Sequence, residues 1–224
     1  MSGAGLGYEP FASAARQEWM TRIGAREAPP VLFVPPLFEE MNRTRALMAA
    51  AMRALAGRGH GCWLPDLGGT GESEAALESV GWDDWRSDVM AAAEHVRRGA
   101  ATPPLVVSLR GGGLIDDGAE AIGWWRLAPV PGKSLARDMV RAGLAGVEWA
   151  GYAPSAELRA RLEEAVPAEP ARLRVARLQS EAAAADVKLA GPALWRRSEP
   201  GNSSELAEAM AADIHAWSDA CAAC

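Results

Sequence analysis

Short apolar runs alternate with amphipathic segments through the first half of the chain. Three runs have the length and continuous apolar character of buried strands, at residues 31–37, 62–66 and 105–109. Between them, residues 42–56 and 82–98 carry apolar side chains at helical spacing. Strands that alternate with helices through short connections predict a parallel sheet covered by helices on both faces.

The second half predicts its elements less sharply. Extended segments are expected at residues 124–128, 147–152, 172–179 and 192–197. Helices are expected at residues 134–145, at 155–164 and after a cap at Ser203 or Ser204. One domain is predicted over residues 1–224, with residues 1–30 as an N-terminal extension or edge strand and residues 218–224 as a frayed tail.

The third strand ends in a glycine turn, SLRGG at residues 108–112. A strand, a sharp glycine turn and a helix form the nucleophile elbow of α/β-hydrolases, where G-x-S-x-G raises a serine above the sheet. Here the outer positions are small, as Ser108 and Gly112, but the centre is Arg110. A guanidinium stays protonated and cannot attack an acyl group. The pattern therefore predicts the three-layer, doubly wound, mostly parallel fold of a hydrolase without its usual nucleophile.

Ligands of such sheets bind beyond the carboxyl ends of the strands, which brings the loops at 35–42, 66–73 and 110–113 to one rim. A helix is expected after the turn, so Arg110 would stand among free backbone N–H groups and could bind an anion. Alternatively, Glu39 and Glu40 could pair with Arg110 in a structural ion pair. The binding-pocket residues expected on this rim are Arg110, Gly111, Gly112, Leu37, Glu39, Glu40 and Gly68.

No catalytic triad can be assembled from the sequence. The weak catalytic candidates are Ser108, whose side chain should point into the sheet packing, and His215, which lies opposite the apolar stripe of its helix. His60 is expected in a solvated turn away from the rim, and His95 on a helix flank. Asp116, with its neighbour, is expected in an acidic first turn of the helix after Arg110.

Composition and net charge exclude several classes of binding partner. A net charge of −6 and a pI near 5.2 argue against general nucleic-acid binding. No apolar segment approaches the roughly 20 residues of a membrane span, and the first 30 residues lack a signal-peptide pattern. Three cysteines in 224 residues fit a reducing cytoplasm. No metal and no cofactor is expected. A small-molecule ligand, anionic if it binds Arg110, is the expected partner, and a homodimer is left open.

Several segments resemble the exosortase A system-associated hydrolases of the type 2 group. They are PPLFEEMN (35–42) within residues 31–45, DLGGTGES (66–73), residues 82–88, the Leu109-Arg110 pair, residues 129–133, VEWAGY (147–152) and GPALW (191–195). The resemblance implies an α/β-hydrolase fold, encoded near exopolysaccharide and protein-sorting genes of a Gram-negative bacterium. It also implies an arginine at the elbow. The chain is shorter than the family at its start and after Gly113, so a reduced N-terminal hairpin and a reduced lid are expected.

Three functions fit these patterns. The first is an ester or thioester hydrolase with a non-standard site around Glu39, Glu40, Ser108 and Arg110. The second is a non-catalytic pseudo-hydrolase that binds an anionic ligand or partner in exopolysaccharide production. The third is an interaction protein that uses its tryptophans, because nine Trp against three Phe is unusual and Trp is favoured at interfaces. Buried core tryptophans explain that excess equally well.

Overall fold

A computed structural model describes residues 5–14, 16–142, 149 and 151–223 of the chain. Eight strands of these residues form a sheet in the order β1-β2-β4-β3-β5-β6-β7-β8. Their bounds are β1 (Leu6–Ser13), β2 (Arg16–Ile23), β3 (Pro30–Val34), β4 (Gly61–Pro65), β5 (Leu105–Leu109), β6 (Gly123–Leu127), β7 (Leu173–Leu178) and β8 (Val187–Leu189). Strands β3 to β8 run parallel, while β2 is antiparallel to both β1 and β4.

Helices cover both faces of this sheet. They are α1 (Glu39–Ala56), α2 (Trp82–Ala100), α3 (Gly132–Ala142), α4 (Ala156–Glu164) and α5 (Ser204–Ala222). Helices α1 and α5 pack on one face, and α2, α3 and α4 pack on the other. The layout is the predicted three-layer α/β-hydrolase-like fold with a mostly parallel, doubly wound sheet.

Strands β3, β4 and β5 are apolar, apart from Ser108 of β5, because both of their faces are buried. Successive side chains of a strand point to opposite faces. Val31 and Phe33 of β3 accordingly join the core under α1 and α5, while Leu32 and Val34 join the core under α2. This explains why β3, β4 and β5 read as unbroken apolar runs in the sequence rather than as alternating ones.

Two antiparallel strands, β1 and β2, precede β3 in the described part of the chain. The expected N-terminal extension or edge strand is a pair of eight-residue strands, in register from Leu6 opposite Ile23 to Ser13 opposite Arg16. Strand β1 is the edge of the sheet. The reduction expected for this hairpin is therefore not observed.

Four other expectations need correction. The helix expected after Arg110 is a short 3₁₀ helix, Arg110–Leu114, and the last strand expected at 192–197 is a 3₁₀ helix, Leu194–Arg196. Helix α1 starts at Glu39, so Asn42 lies inside it rather than capping it. The chain at 218–222 continues α5, with Ser218 and Cys221 buried, although we expected it to fray.

Other predicted elements are confirmed within small shifts of their ends. They are α2, α3, α4, α5 and strands β6 and β7, with Ser203 as the cap of α5 and Ser155 as the cap of α4. Residues 143–145 of the expected helix lie outside the described residues, as do residues 147, 148 and 150 of the expected extended segment. Trp149 and Tyr152 form an isolated antiparallel bridge. No described helix is both long enough and apolar enough to cross a bilayer.

Close approach of two strand ends accounts for one glycine of the turn after β5. A Cβ atom on Gly112 would lie 2.6 Å from the carbonyl oxygen of Pro35 and 2.8 Å from that of Val34. Replacing Gly112 by alanine should therefore lower the free energy of unfolding by about 1–3 kcal/mol through overpacking. Urea denaturation would measure the change.

The matched control is Gly57→Ala at the end of α1. Gly57 has right-handed helical backbone angles, and a Cβ atom there would come no closer than 3.4 Å to the nearest atom. This substitution should leave stability unchanged or raise it by about 0.4–1 kcal/mol. Equal effects at the two positions would contradict the crowding described for Gly112.

Candidate functional site

Arg110 occupies the apex of the turn at the carboxyl end of β5. Its φ angle is 51°, in the left-handed region that residues other than glycine seldom adopt. The two glycines that follow are buried, and a Cβ atom on Gly111 would lie 2.7 Å from Leu135 and 3.3 Å from Leu37. The backbone thus makes the sharp turn that the sequence predicts, with an arginine at its centre.

The Arg110 guanidinium forms a buried ion pair with Glu40 of α1. Nη2 of Arg110 lies 2.9 Å from Oε1 of Glu40, and Nε lies 3.2 Å from both carboxylate oxygens. Both side chains are only 6% exposed. Burial raises the pKa of the Glu40 carboxyl, and the nearby Arg110 charge opposes that rise. Of the two alternatives for Arg110, the structural ion pair is present, and it is made by Glu40.

Two further groups surround the guanidinium. Asp138 of α3 approaches Nη2 of Arg110 at 3.4 Å, and the Trp195 ring lies with its centroid 5.2 Å from the Arg110 Cζ atom. A guanidinium over an aromatic face at this distance is attracted by the ring quadrupole. Arg110 therefore joins the turn after β5 to α1, to α3 and to the 3₁₀ helix Leu194–Arg196.

A cavity of about 560 Å³ opens above this cluster, at the carboxyl ends of the parallel strands. Its walls come from α1, α3 and the 3₁₀ helix at 194–196, and consist of Glu39, Glu40, Arg43, Leu135, Asp138, Met139, Arg141, Trp195 and Arg196. Glu39 lies in the wall but not against Arg110, because its carboxylate is 3.5 Å from Nε of Arg43 and accepts a hydrogen bond from Asn42.

The other predicted pocket residues divide into two groups. Leu37, Gly111 and Gly112 lie buried beside Arg110 and shape the turn through backbone and apolar contacts. Gly68 lies elsewhere. Its N–H donates to Asp88 at 2.8 Å, and its carbonyl accepts from the indole of Trp85 at 2.9 Å. The loop after β4 therefore does not bring Gly68 to the Arg110 cavity.

Ser108 is fully buried in a charged cluster beneath the turn. Its hydroxyl donates to Oδ2 of Asp116 at 2.7 Å, and Asp116 also receives two hydrogen bonds from Arg126, at 2.6 and 2.9 Å. All three side chains are at most 1% exposed. We expected Asp116 in the first turn of a helix, but it is instead the counter-ion of Arg126. Ser108 has no access to a substrate in this arrangement.

The three histidines lie away from the Arg110 cavity. His60 precedes β4 at the amino ends of the parallel strands, and the strand register sets it about 20 Å from Arg110 along the sheet. His60 is buried, contrary to expectation, and its Nε2 lies 2.9 Å from Nδ1 of His215. His95 lies near the carboxyl end of α2. No imidazole is positioned to act as a base at the turn.

Sequence reasoning missed several residues that build this region. Asp138 and Arg141 are on α3, Trp195 and Arg196 are on the 3₁₀ helix, and Arg126 is the fourth of the five residues of β6. A charged residue within an otherwise apolar strand, as Arg126 is in GWWRL, requires a buried partner and was the one available signal. Within the described ranges, no group of His, Cys, Asp and Glu side chains is arranged to hold a metal ion.

The chain has only distant similarity to proteins of known structure. No protein-family model and no curated protein sequence matches the chain. Among solved structures, an epoxide hydrolase of Vigna radiata, VrEH1, is similar at 19% identity and a TM-score of 0.45, over 56% of this chain and 40% of that one. The esterase Est22 is similar at 15% identity and a TM-score of 0.47, over 57% and 45%.

A third similar structure is epoxide hydrolase A of Mycobacterium thermoresistibile, at 17% identity and a TM-score of 0.45, over 62% of this chain and 44% of that one. The chain spans less than half the length of each of these three proteins. Such partial and distant similarity says nothing about the reaction, and the fold assignment rests on the sheet and its helices.

The Arg110–Glu40 pair makes a direct stability prediction. The Arg110→Met variant leaves a buried carboxylate without its cation, which should lower the free energy of unfolding by about 3–5 kcal/mol. The Arg110→Met/Glu40→Met double variant should lose much less, because both charges leave together. Urea denaturation of the single and double variants would measure the coupling.

The control for this cycle is Arg137→Met. Arg137 is an exposed arginine of α3 whose guanidinium donates a hydrogen bond to the Ser134 hydroxyl, so its loss should change stability by less than about 0.5 kcal/mol. Additive effects of the two substitutions in the double variant would contradict the pair.

The buried histidine predicts a pH dependence of stability. The carbonyl of Pro29 can only accept from Nδ1 of His60, so Nε2 of neutral His60 accepts from His215. Burial lowers the pKa of His60 below its ordinary 6.5, and it lowers the pKa of His95 likewise. Below pH 6.5 these two histidines therefore bind more protons in the unfolded chain than in the folded protein, and their contribution to stability falls as the pH is lowered.

The His60→Gln variant should lose less stability than the wild-type protein between pH 7 and pH 5. Adding His95→Gln should flatten the profile further, because both groups contribute with the same sign. Urea midpoints across this range would measure the difference. Parallel profiles for all three proteins would show that the folded-state pKa of neither histidine is lowered.

Proposed function

We propose that this α/β-hydrolase-like protein is a non-catalytic binding protein, whose cavity at the carboxyl end of the sheet takes a small anionic ligand. One observation carries the proposal. The turn that would present a nucleophile presents Arg110 instead, and this arginine is held by the buried Glu40. An always-protonated guanidinium offers no electron pair for attack. Its position therefore favours binding over acyl transfer.

The charges around the cavity support an anion as the ligand. Arg43, Arg141 and Arg196 line it and Arg110 lies behind it, against the carboxylates of Glu39, Glu40 and Asp138. Four guanidinium groups against three carboxylates leave one excess positive charge. Guanidinium groups bind carboxylate and phosphate through paired hydrogen bonds.

Two of these arginines are available to a ligand. The Arg141 side chain is 79% exposed, and among the described residues its ion-pair partner is Asp138, at 4.0 Å. The side chain of Arg196 is exposed and makes no hydrogen bond or ion pair within the described residues. Trp195, the neighbour of Arg196, also lines the cavity, but it is 2% exposed and its ring already carries Arg110.

The alternative is an ester or thioester hydrolase with a non-standard site. Ser108 would be its nucleophile, but the Ser108 hydroxyl is buried and already donates to Asp116. His215 would be its base, but it contacts His60 at the opposite end of the strands. The alternative therefore requires a rearrangement of the buried Ser108–Asp116–Arg126 cluster, and the binding function requires none.

The resemblance to exosortase-associated hydrolases supplies the proposed setting. In that setting the protein would act in the cytoplasm, in exopolysaccharide production, and its anionic ligand would be a carboxylated sugar or a phosphorylated precursor. A homodimer is compatible with this function but is not needed for it.

Glucuronate and inorganic phosphate are suitable probes, with neutral glucose as the matched control. At ten times its Kd a ligand stabilises the folded protein by about 1.4 kcal/mol, which should raise Tm by about 4 °C for a chain of this size. The Arg141→Ala/Arg196→Ala variant should lose this shift, because it removes the two available guanidinium groups. Differential scanning fluorimetry would measure it.

The control variant is Arg137→Ala, which removes an exposed arginine of α3 outside the cavity. It should retain the full shift. A shift of equal size with glucose, or an unchanged shift in the double variant, would contradict the anion site. Labelling of Ser108 by a fluorophosphonate, above a denatured control, would favour the hydrolase instead.

A further inference from the structure

Strand β1 leaves one edge of the sheet unpaired within the described residues. In an antiparallel ladder, residue pairs that exchange hydrogen bonds alternate with pairs that do not. The Gly24 N–H donates to the Gly5 carbonyl, one step beyond Leu6 opposite Ile23. The odd-numbered residues of β1 therefore bond to β2, and the N–H and C=O groups of its even-numbered residues point away from the sheet. We propose that this edge pairs with the β1 edge of a second copy of the chain, in an antiparallel, two-fold symmetric arrangement.

The position of Pro10 supports this assignment of the outward groups. Proline has no N–H, so a sheet tolerates it where that group would point to solvent. Pro10 is at an even position, opposite Trp19 in a pair that exchanges no hydrogen bond. Leu6, Tyr8 and Ala12 keep outward N–H groups, and these groups donate to no acceptor in the described part of the chain. They are available to a neighbouring strand.

The side chains at this edge are apolar and exposed. Leu6 is 60% exposed and Tyr8 is 66% exposed. None of the even-numbered residues of β1 is charged, and neither is any of the β2 residues opposite them. The one charged side chain of β1, Glu9, is buried on the opposite face. Edge strands that remain unpaired are usually protected by charged side chains, so a long apolar edge of this kind favours strand pairing.

Pro10 also selects the register of the pair. Hydrogen-bonded pairs between the two copies must join even-numbered residues, and a pair that includes Pro10 lacks a donor. The longest pairing of β1 residues that avoids this loss places Leu6 opposite Tyr8 of the second copy, with Gly7 at the two-fold axis. Each of the two Leu6–Tyr8 pairs then exchanges two hydrogen bonds. Pairing Tyr8 with Pro10 would lose donors and would also place the two Glu9 side chains opposite each other.

The side chains are compatible with this register. Leu6 and Tyr8 become cross-strand neighbours, which removes their exposed side chains from water. Glu9 is opposite Gly5 of the second copy, so no like charges of the two β1 strands face each other. On the same face the Arg22 side chain crosses the glycine at the axis, and its Nε lies 4.0 Å from the Glu9 carboxylate of its own chain. The arginine near the axis is therefore beside a counter-ion.

This interface is separate from the Arg110 cavity. Strand β1 contributes no residue to the walls of that cavity. The pairing of two copies therefore leaves both cavities open, and the proposal is independent of the anionic ligand proposed above. Either proposal can fail alone.

Proline substitutions at two outward positions test the edge. Tyr8→Pro removes an outward N–H inside the proposed pairing, whereas Ala12→Pro removes one outside it, and neither N–H bonds to β2. Sedimentation equilibrium from about 1 μM to about 1 mM should show a monomer–dimer equilibrium for the wild-type protein, because a single strand pair is a small interface. Tyr8→Pro should raise the Kd of the dimer at least about tenfold, and Ala12→Pro should leave it within about twofold.

Two double variants test the register, and they change only exposed side chains if a proline variant fails to fold. Leu6→Lys/Tyr8→Glu places opposite charges across the pair and should dimerise at least as tightly as the wild-type protein. Leu6→Lys/Tyr8→Lys places like charges there and should remain monomeric. Equal effects of the two prolines, or equal Kd values for the two double variants, would overturn the proposal. A wild-type protein that stays monomeric would also overturn it, and would leave a strand of another protein as the remaining occupant of this edge.

Discussion

The buried ion pair between Arg110 and Glu40 organises the carboxyl end of this sheet. It joins the turns that follow β3 and β5, which are neighbours in the sheet, and each turn contains a residue in the left-handed region, Phe38 at φ 56° and Arg110 at φ 51°. Backbone in that region costs roughly 1–2 kcal/mol for each residue that is not glycine. A charged pair excluded from water can hold such turns in place, because separating its members would leave a bare charge in the core.

A second buried pair lies beneath the first. Asp116 and Arg126 are almost fully enclosed, and Ser108 completes the hydrogen bonds of the carboxylate. The turn after β5 therefore lies between two ion pairs, with Glu40 above it and Asp116 below it. Hydrophobic residues of similar volume often stabilise a core as well as such pairs do. The two pairs are consequently better explained by the geometry that they impose on the turn than by stability.

The sequence predicted best those elements whose spacing of apolar residues matches the faces that are buried in the structure. Strands β3, β4 and β5 and helices α1 and α2 follow from continuous apolar runs and helical spacing, and the turn at Arg110 follows from its glycines. The α-helix that we expected after this turn does not form, and the reason is local. Three successive glycines disfavour a helix, and the aspartates that follow are engaged by Arg126 and Arg86 rather than by a helix N-terminus.

The rest of the candidate site depended on contacts between distant segments. Glu40 is 70 residues from Arg110, and His60 is 155 residues from the histidine that it contacts. Neither the choice of Glu40 over Glu39 nor the burial of His60 is visible in local periodicity. Gly68 was assigned to the Arg110 rim by the general rule for strand ends, but the hydrogen bonds of Asp88 and Trp85 hold its loop against α2.

Hydrolytic activity would be difficult to introduce at position 110, because the histidines lie far from this turn. Placing serine at position 110 would supply a hydroxyl at the apex of the turn, but it would leave the buried Glu40 carboxylate without its cation. The imidazoles of His60 and His215 would still lie at the opposite end of the strands. Hydrolysis would require a new base and a new partner for Glu40 at the same time. Since neither change is useful alone, a single substitution at position 110 would not produce a hydrolase.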